Sequence, residues 1–210
     1  MADELDSLLR LRAALERPPR IRDDGEHGRA AVAVVLRPSS EGGKELQVLF
    51  IKRALHPEDP WSGDIAFPGG RLDPCDAGPQ HAAERETREE IGLDLAPGQL
   101  LGRLDDLSAN ILPMTVSAFV YLHLSDAELV CSPEVERPLW ASLSRLVDPD
   151  MRTWHCLERR GELQRFPAVD LLGPGHPPLW GVTYRFVLDL LQLLGRELSV
   201  KIDGNGPGPG

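Results

Sequence analysis

The stretch from Gly69 to Leu93, GGRLDPCDAGPQHAAERETREEIGL, places Glu86, Glu89 and Glu90 in one short segment behind the turn Pro68-Gly69-Gly70. Residues three and four apart on a helix share a face, so Glu86 points the same way as Glu89 and Glu90. Like charges at that spacing repel and lower helix stability, a cost without structural return. A cluster of hard oxygen ligands is, however, what Mg²⁺ or Mn²⁺ takes when it works on a phosphate substrate. Arg85 and Arg88 lie within the same turns, placed to hold some of those carboxylates by charge-assisted hydrogen bonds. A solvated charged face is the plain reading of any glutamate-rich run. The ordered context sets this run apart: Phe67-Pro68-Gly69-Gly70, then a turn-rich loop, then Arg85 through Leu93.

On those residues the chain resembles the Nudix hydrolases, whose signature reads G-x5-E-x7-R-E-U-x-E-E-x-G-U, with U a bulky apolar residue. Gly70, Arg85, Glu86, Glu89, Glu90, Gly92 and Leu93 fall in their places. Asp76 stands where the first Glu is expected, one extra residue separates it from Arg85, and Thr87 occupies the first U. The resemblance implies an α/β/α sandwich with a mixed sheet, and hydrolysis of a nucleoside diphosphate-linked substrate by water attack on a pyrophosphate phosphorus. Such chemistry is mostly positioning and charge neutralisation, which divalent metals supply. It implies Glu86, Glu89 and Glu90 as metal ligands, the Gly69 carbonyl as a backbone ligand, and Arg85 as the residue orienting them. Gly70 lets the backbone turn sharply and approach metal or phosphate. Gly92 is expected to end the helix in a left-handed conformation.

Composition narrows the class further. A chain of 210 residues allows one domain with a substantial core, and a net charge of −10 argues against a nucleic-acid-binding surface. A small anionic substrate is still compatible, since bound metal reverses the local sign. Cys75, Cys131 and Cys156 share no metal-ligand spacing and read as reduced thiols of a cytoplasmic protein. The acidic start MADELDSLLRLRAALER carries no long apolar run, against a secretory signal or membrane span.

Leu5, Leu8, Leu9, Leu11 and Leu15 recur at near-helical spacing, so an amphipathic helix is expected over 3–17, with a charged linker at 18–28. This leucine-bearing helix is compatible with a homodimer. The hydrolase domain is expected over 29–200 and a disordered tail over 201–210. Ala30–Leu36 and Leu46–Ile51 read as paired strands across the Ser39–Lys44 turn, and the motif helix runs from about Gln80 to Ile91. Residues 98–107 and 114–124 read as strands and Trp140–Leu146 as a short helix or turn. A hairpin is expected from Met151–Leu157 and Leu163–Val169 around Arg160-Gly161. Val182–Leu194, apolar on most sides, is the closing helix.

Several flanking runs are similar to the coenzyme A pyrophosphatase-like branch of the Nudix enzymes. Leu49–Arg53 with Gly63–Gly70 is similar to L-T-x-R-S…H-x-G-x-x-x-F-P-G-G, Asp73–Asp76 to D-P-x-D, Val116–Val120 to V-T-P-F-V, and Trp180–Thr183 to W-G-x-T. The run ALHPEDPWS between Arg53 and Gly63 is one residue longer than that pattern, and Ala118 replaces a proline. Coenzyme A is therefore the leading substrate, with ADP-ribose, another nucleotide sugar or a damaged nucleoside triphosphate as alternatives. A catalytically silent nucleotide-binding module is the reading from another class, and the retained Glu86, Glu89 and Glu90 count against it. Arg53 and Phe67 approach the metal face and are assigned with Gly70 to substrate binding, Arg53 for bidentate phosphate contact. Trp61 and Trp180 are possible adenine platforms, with core packing favoured for Trp180. Glu134, matching a Glu that Nudix chains place before a W-V-P-L run, is the candidate general base, with Glu89 as its competitor. His56, His81, His155 and His176 share no spacing and read as surface or packing residues.

Overall fold

The computed structural model describes residues 2–22, 28–39, 45–57, 61–109, 113–125, 128–159 and 161–196. The tail at 201–210, most of the Ser39–Lys44 turn and Arg160 lie outside them. In chain order the elements are α1 (Ala2–Leu15), β1 (Gly28–Pro38), β2 (Leu46–Arg53), β3 (Ile65–Ala66), β4 (Gly69–Arg71), α2 (Pro79–Ile91), β5 (Gln99–Arg103), β6 (Leu107–Ala109), β7 (Met114–Leu122), β8 (Val135–Ser142), α3 (Leu143–Val147), β9 (Arg152–Arg159), β10 (Glu162–Val169) and α4 (Gly181–Leu193).

β1 organises the sheet because its apolar run is buried on both faces. It pairs in parallel with β7, from Gly28↔Met114 to Leu36↔Leu122, and antiparallel with β2 and β4. The path β3-β2-β1-β7-β5 is completed by β4 on β1, β6 on β7 and β8 on β2, giving one mixed sheet. Side chains alternate across a strand, so Ala31, Ala33 and Val35 meet Ala82, Ala83 and Ile91 of α2 on one face. On the other, Val34 and Leu36 join Leu11 and Leu15 of α1, Leu143 and Leu146 of α3, and Val187 and Leu190 of α4. This is the expected α/β/α sandwich with an N-terminal helix. β9 and β10 form a separate two-stranded hairpin, close to the expected bounds.

Two segments differ from expectation. The single strand expected over 98–107 is divided between β5 and β6, because Asp105 and Asp106 turn to the chain after α1. Asp105 accepts from the Arg20 backbone N–H at 2.8 Å and from Arg17 and Arg20 side chains, and Asp106 accepts from the Arg22 N–H at 2.9 Å. The charged linker is thus tied to the sheet as far as Arg22. Trp140–Leu146, expected as a short helix or turn, begins as the end of β8 and only then becomes α3. Pro138 obscures the strand in the sequence, yet a proline is tolerated here because β8 pairs on one side only, with β2.

The leucines that made a homodimer compatible with α1 are largely used inside the chain. Leu11 and Leu15 are buried, Leu8 packs against the same core, and Leu9 faces solvent. The helix comes so close to the sheet that a Cβ on Gly102 (φ +155°) would lie 2.7 Å from Cβ of Leu15. Gly102→Ala therefore forces α1 outward or strains β5. Overpacking of this kind costs about 1–3 kcal/mol, and a lowered melting temperature with faster proteolysis at α1 is the expected outcome.

Candidate active site

Arg85 is the centre of the charged constellation. Its Nε and Nη2 donate to the two oxygens of Asp76, both at 3.0 Å, a bidentate grip, and Nη2 also donates to the Arg71 carbonyl at 3.2 Å. Its Nη1 donates to Glu86 Oε1 at 3.0 Å and Glu89 Oε2 at 2.9 Å. One guanidinium therefore stands between two of the carboxylates assigned to metal. Asp76 is fixed in turn by the Asp73 N–H at 2.8 Å, while His81 Nδ1 lies 2.8 Å from its Oδ1. The Arg85 contact holds the Asp76 carboxyl well below the usual carboxylate range, with the Asp73 N–H and His81 adding to it against the opposing effect of burial. Asp76 thus works as the anchor of Arg85, and His81 serves it. The spacing of His81 and Arg85, four apart on α2, is the sequence signal for that shared face. Gly92 ends the helix at φ 69°, left-handed as expected, with its N–H on the Arg88 carbonyl.

Gly69 and Gly70 carry the strand that faces these carboxylates. Gly69 (φ +147°) abuts Val32, where a side chain has no room. A Cβ on Gly70 would lie only 2.7 Å from Glu86 Oε2, so the carboxylate rests directly on glycine backbone. Glu90 is 4% exposed, accepts the Gly69 N–H at 2.8 Å, and has Arg53 Nη1 at 3.8 Å. Burial pushes its pKa up to about 8 against the pull of that N–H and of Arg53, with Glu86 and Glu134 adding to the rise. Glu86 is raised as well, chiefly by burial.

Glu134 arrives from the loop before β8. Ser132 donates its N–H to the Glu90 carbonyl at 2.8 Å, and Ala54 donates to the Glu134 carbonyl at 2.8 Å, pinning the loop between α2 and β2. Arg53, Phe67, Gly69, Gly70, Glu86, Glu90 and Glu134 all line one cavity of about 790 Å³. Glu89 is set apart from them: it lies at the rim, 57% exposed in its side chain, held by Arg85 and absent from the cavity wall. Phe67 is buried and stacked on Phe50 with ring centroids 4.9 Å apart, so it forms the wall from beneath.

Among the described residues no three His, Cys, Asp or Glu side chains converge as a metal-binding group. The carboxylates instead take the donors within reach, Arg85 for Glu86 and Glu89, the Gly69 N–H for Glu90. The donor set nevertheless fits a hard divalent cation. Glu90 is a buried carboxylate with weak charge compensation, and Glu86 and Glu89 already share one positive group.

The cavity also has walls beyond the expected metal and phosphate residues. Phe166 and Pro167 of β10, Met114 and Val116 of β7, and Tyr184 and Arg185 of α4 line it, as does Trp180. Core packing was favoured for Trp180, but the ring is only half-buried and faces the cavity. His56 lines it too, and His155 stacks behind Trp180. These positions come from segments distant in sequence, and of them only Trp180 carries an expected ligand role, as a possible adenine platform.

Comparison with known proteins places this geometry. A family model of the NUDIX domain matches residues 26–156. The chain is 31% identical over 170 residues to the human mitochondrial coenzyme A diphosphatase NUDT8, covering 79% of this chain and 70% of that one. It is 30% identical over 177 residues to an uncharacterised protein of Schizosaccharomyces pombe, covering 71% of this chain but only 52% of that one. A MutT/nudix family protein from Enterococcus faecalis superposes with a TM-score of 0.53 at 17% identity, over 87% of this chain and 73% of that one, which shows the fold alone. The chain belongs to the Nudix family. It is a Nudix pyrophosphohydrolase, and hydrolases of this family use a divalent metal ion. Among the described residues no helix is long and apolar enough to cross a membrane, which says nothing of a β-barrel.

The Asp76–Arg85 pair generates a test. A carboxyl depressed in the folded state contributes stability in full above its unfolded pKa of about 4 and loses it as pH falls through the folded value. Asp76→Asn is expected to lower the melting temperature at pH 7. The gap to wild type should hold down to about pH 5 and narrow below about pH 4. Loosening of Arg85 should also weaken metal affinity on the order of 10–100-fold, measured by Mn²⁺ titration.

Proposed function

We propose that this hydrolase cleaves the pyrophosphate bond of coenzyme A or a derivative, giving 3′,5′-ADP and 4′-phosphopantetheine. The observation that carries the reading is the cavity, whose lining combines the carboxylates Glu86, Glu90 and Glu134 with apolar and aromatic side chains. Its volume of about 790 Å³ suits a substrate with bulky groups on both sides of the scissile bond. Likeness to a coenzyme A diphosphatase supports the same choice. ADP-ribose and other nucleotide sugars are the competing substrates. We take residues 29–200 as the hydrolase domain and 1–28 as an N-terminal helix and linker, of which the described part, 2–22, packs onto it. Unpaired Cys75, Cys131 and Cys156 support a reducing compartment such as the cytoplasm; the human relative is named as mitochondrial.

Glu86, Glu89, Glu90 and the Gly69 carbonyl would hold Mg²⁺ or Mn²⁺. When bound, the ion neutralises charge on the phosphate oxygens and lowers the pKa of the attacking water. Arg85 orients Glu86 and Glu89 through its shared Nη1. Glu134, anchored beside Glu90 yet exposed, takes the proton of the attacking water, with Glu89 at the rim as the competing base. Arg53 contacts a substrate phosphate, Gly70 leaves the Glu86 carboxylate its room, and Phe67 backs the wall.

Purified protein with Mg²⁺ is expected to turn over coenzyme A in preference to ADP-ribose, NADH, diadenosine polyphosphates and nucleoside triphosphates. Turnover of ADP-ribose with none of coenzyme A would sink the substrate assignment and leave the class intact. Glu134→Gln should lower kcat by about 10²–10⁴ with little change in KM if Glu134 is the base. Glu89→Gln is expected to abolish turnover if Glu89 is a ligand, and full activity in that variant refutes the ligand role.

A further inference from the structure

We propose that Trp180 is the platform on which the base of the nucleotide half stacks, with His155 as the positioning residue behind it. The inference rests on reading the cavity as a nucleotide site, but not on coenzyme A as the particular substrate. α2, which carries the carboxylates, and α4, which Trp180 precedes, pack on opposite faces of the sheet, and residues of both line the one cavity. Apolar Ala30, Val32, Met114 and Val116 line the same cavity. A substrate with its pyrophosphate at the carboxylates therefore carries one of its halves toward Trp180.

The indole is held by its backbone and by two rings. Its backbone is extended at the start of α4 (φ −147°, ψ −173°), and the preceding Leu179 exchanges hydrogen bonds of 2.8 and 2.9 Å with Val169 of β10. The ring packs on His155 with centroids 4.0 Å apart and planes 19° from parallel, and on Phe166 at 5.5 Å and 48°. His155 and Phe166 are directly opposed partners across the β9–β10 hairpin, so one strand pair fixes the indole from behind. Burial lowers the His155 pKa, which favours the neutral ring. A large aromatic ring immobilised this way and left partly open to a cavity is preorganised for a planar ligand. Stacking of this kind accepts any base, so the platform sets a nucleotide class rather than one base. Trp61, the other indole of the cavity, packs instead against the apolar core. Its carbonyl takes the Asp64 N–H at 3.1 Å, near the charged end.

The test uses adenosine 5′-monophosphate as the probe, with pantetheine as control. The nucleotide should quench tryptophan emission and pantetheine should not. Trp180→Phe keeps a ring and should retain affinity within several-fold while losing the quench. Trp180→Leu should weaken nucleotide binding by about 10–100-fold and raise KM with kcat held within a few-fold. His155→Ala should raise KM less, and His155→Phe should restore it. A quench that survives in Trp180→Phe, or unchanged nucleotide affinity in a folded Trp180→Leu, overturns the platform. If Trp180→Leu does not fold, the Trp180→Phe quench alone decides. Quenching that depends on Trp180 without turnover of coenzyme A would uphold the platform while removing the substrate reading. Turnover of coenzyme A by Trp180→Leu with unchanged KM would do the reverse.

Discussion

The guanidinium of Arg85 is the interaction on which the charged end of this molecule depends. It fastens the loop at Asp76, the β4 carbonyl at Arg71 and the side chains of Glu86 and Glu89 to one planar group. A lysine could not do this, since a point charge cannot grip one carboxylate with two parallel bonds and still bridge two others. The arrangement is also unbalanced. One cation faces Asp76, Glu86 and Glu89, while Glu90 lies buried beside them with Arg53 at 3.8 Å. Burial, with the neighbouring carboxylates adding to it, raises Glu86 and Glu90, and the excess of negative charge makes a divalent cation the natural complement of the site.

That charge is held against the sheet by glycine rather than by other side chains. Gly69 and Gly70 pair with Val32 and Ala31 of β1, and neither has room for a Cβ. β1 is buried on both faces and paired along its length. The carboxylates of α2 rest on β4, which β1 in turn holds in the sheet. The hydrogen bond from the Gly69 N–H to Glu90 couples the strand to the helix directly.

The chemical end of the site was legible because it is local. Asp76, Arg85, Glu86, Glu89 and Glu90 lie in one loop-helix unit, and helical spacing alone puts the last four near each other. The layered fold was legible for a similar reason, since strand and helix periodicity mark which faces are buried. What the sequence concealed came from long-range packing. Asp105 and Asp106 broke a strand by binding Arg17, Arg20 and Arg22 from far upstream. Pro138 hid an edge strand that only its pairing with β2 explains. Glu89 shares the helical face of Glu86, yet Arg85 draws it to the rim. Trp180 read as a core residue because its neighbours in sequence are apolar, while its neighbours in space are His155, Phe166 and a cavity.

This difference in origin separates two parts of the cavity wall. Most of the charged cluster lies in one loop-helix segment, Asp76 to Glu90, braced through β4 on β1, with Arg53 and Glu134 brought to it from β2 and the loop before β8. The apolar and aromatic lining comes from β7, β10 and the start of α4, with the β9–β10 hairpin standing outside the main sheet. A substitution at Trp180 or Phe166 alters that lining without touching Arg85, Asp76 or the glycine strand. The sequence motif therefore records the part of the structure with the most mutual constraint. The rest of the cavity wall is drawn from scattered segments, which is why a motif that identifies the family so firmly says little about the molecule being cut.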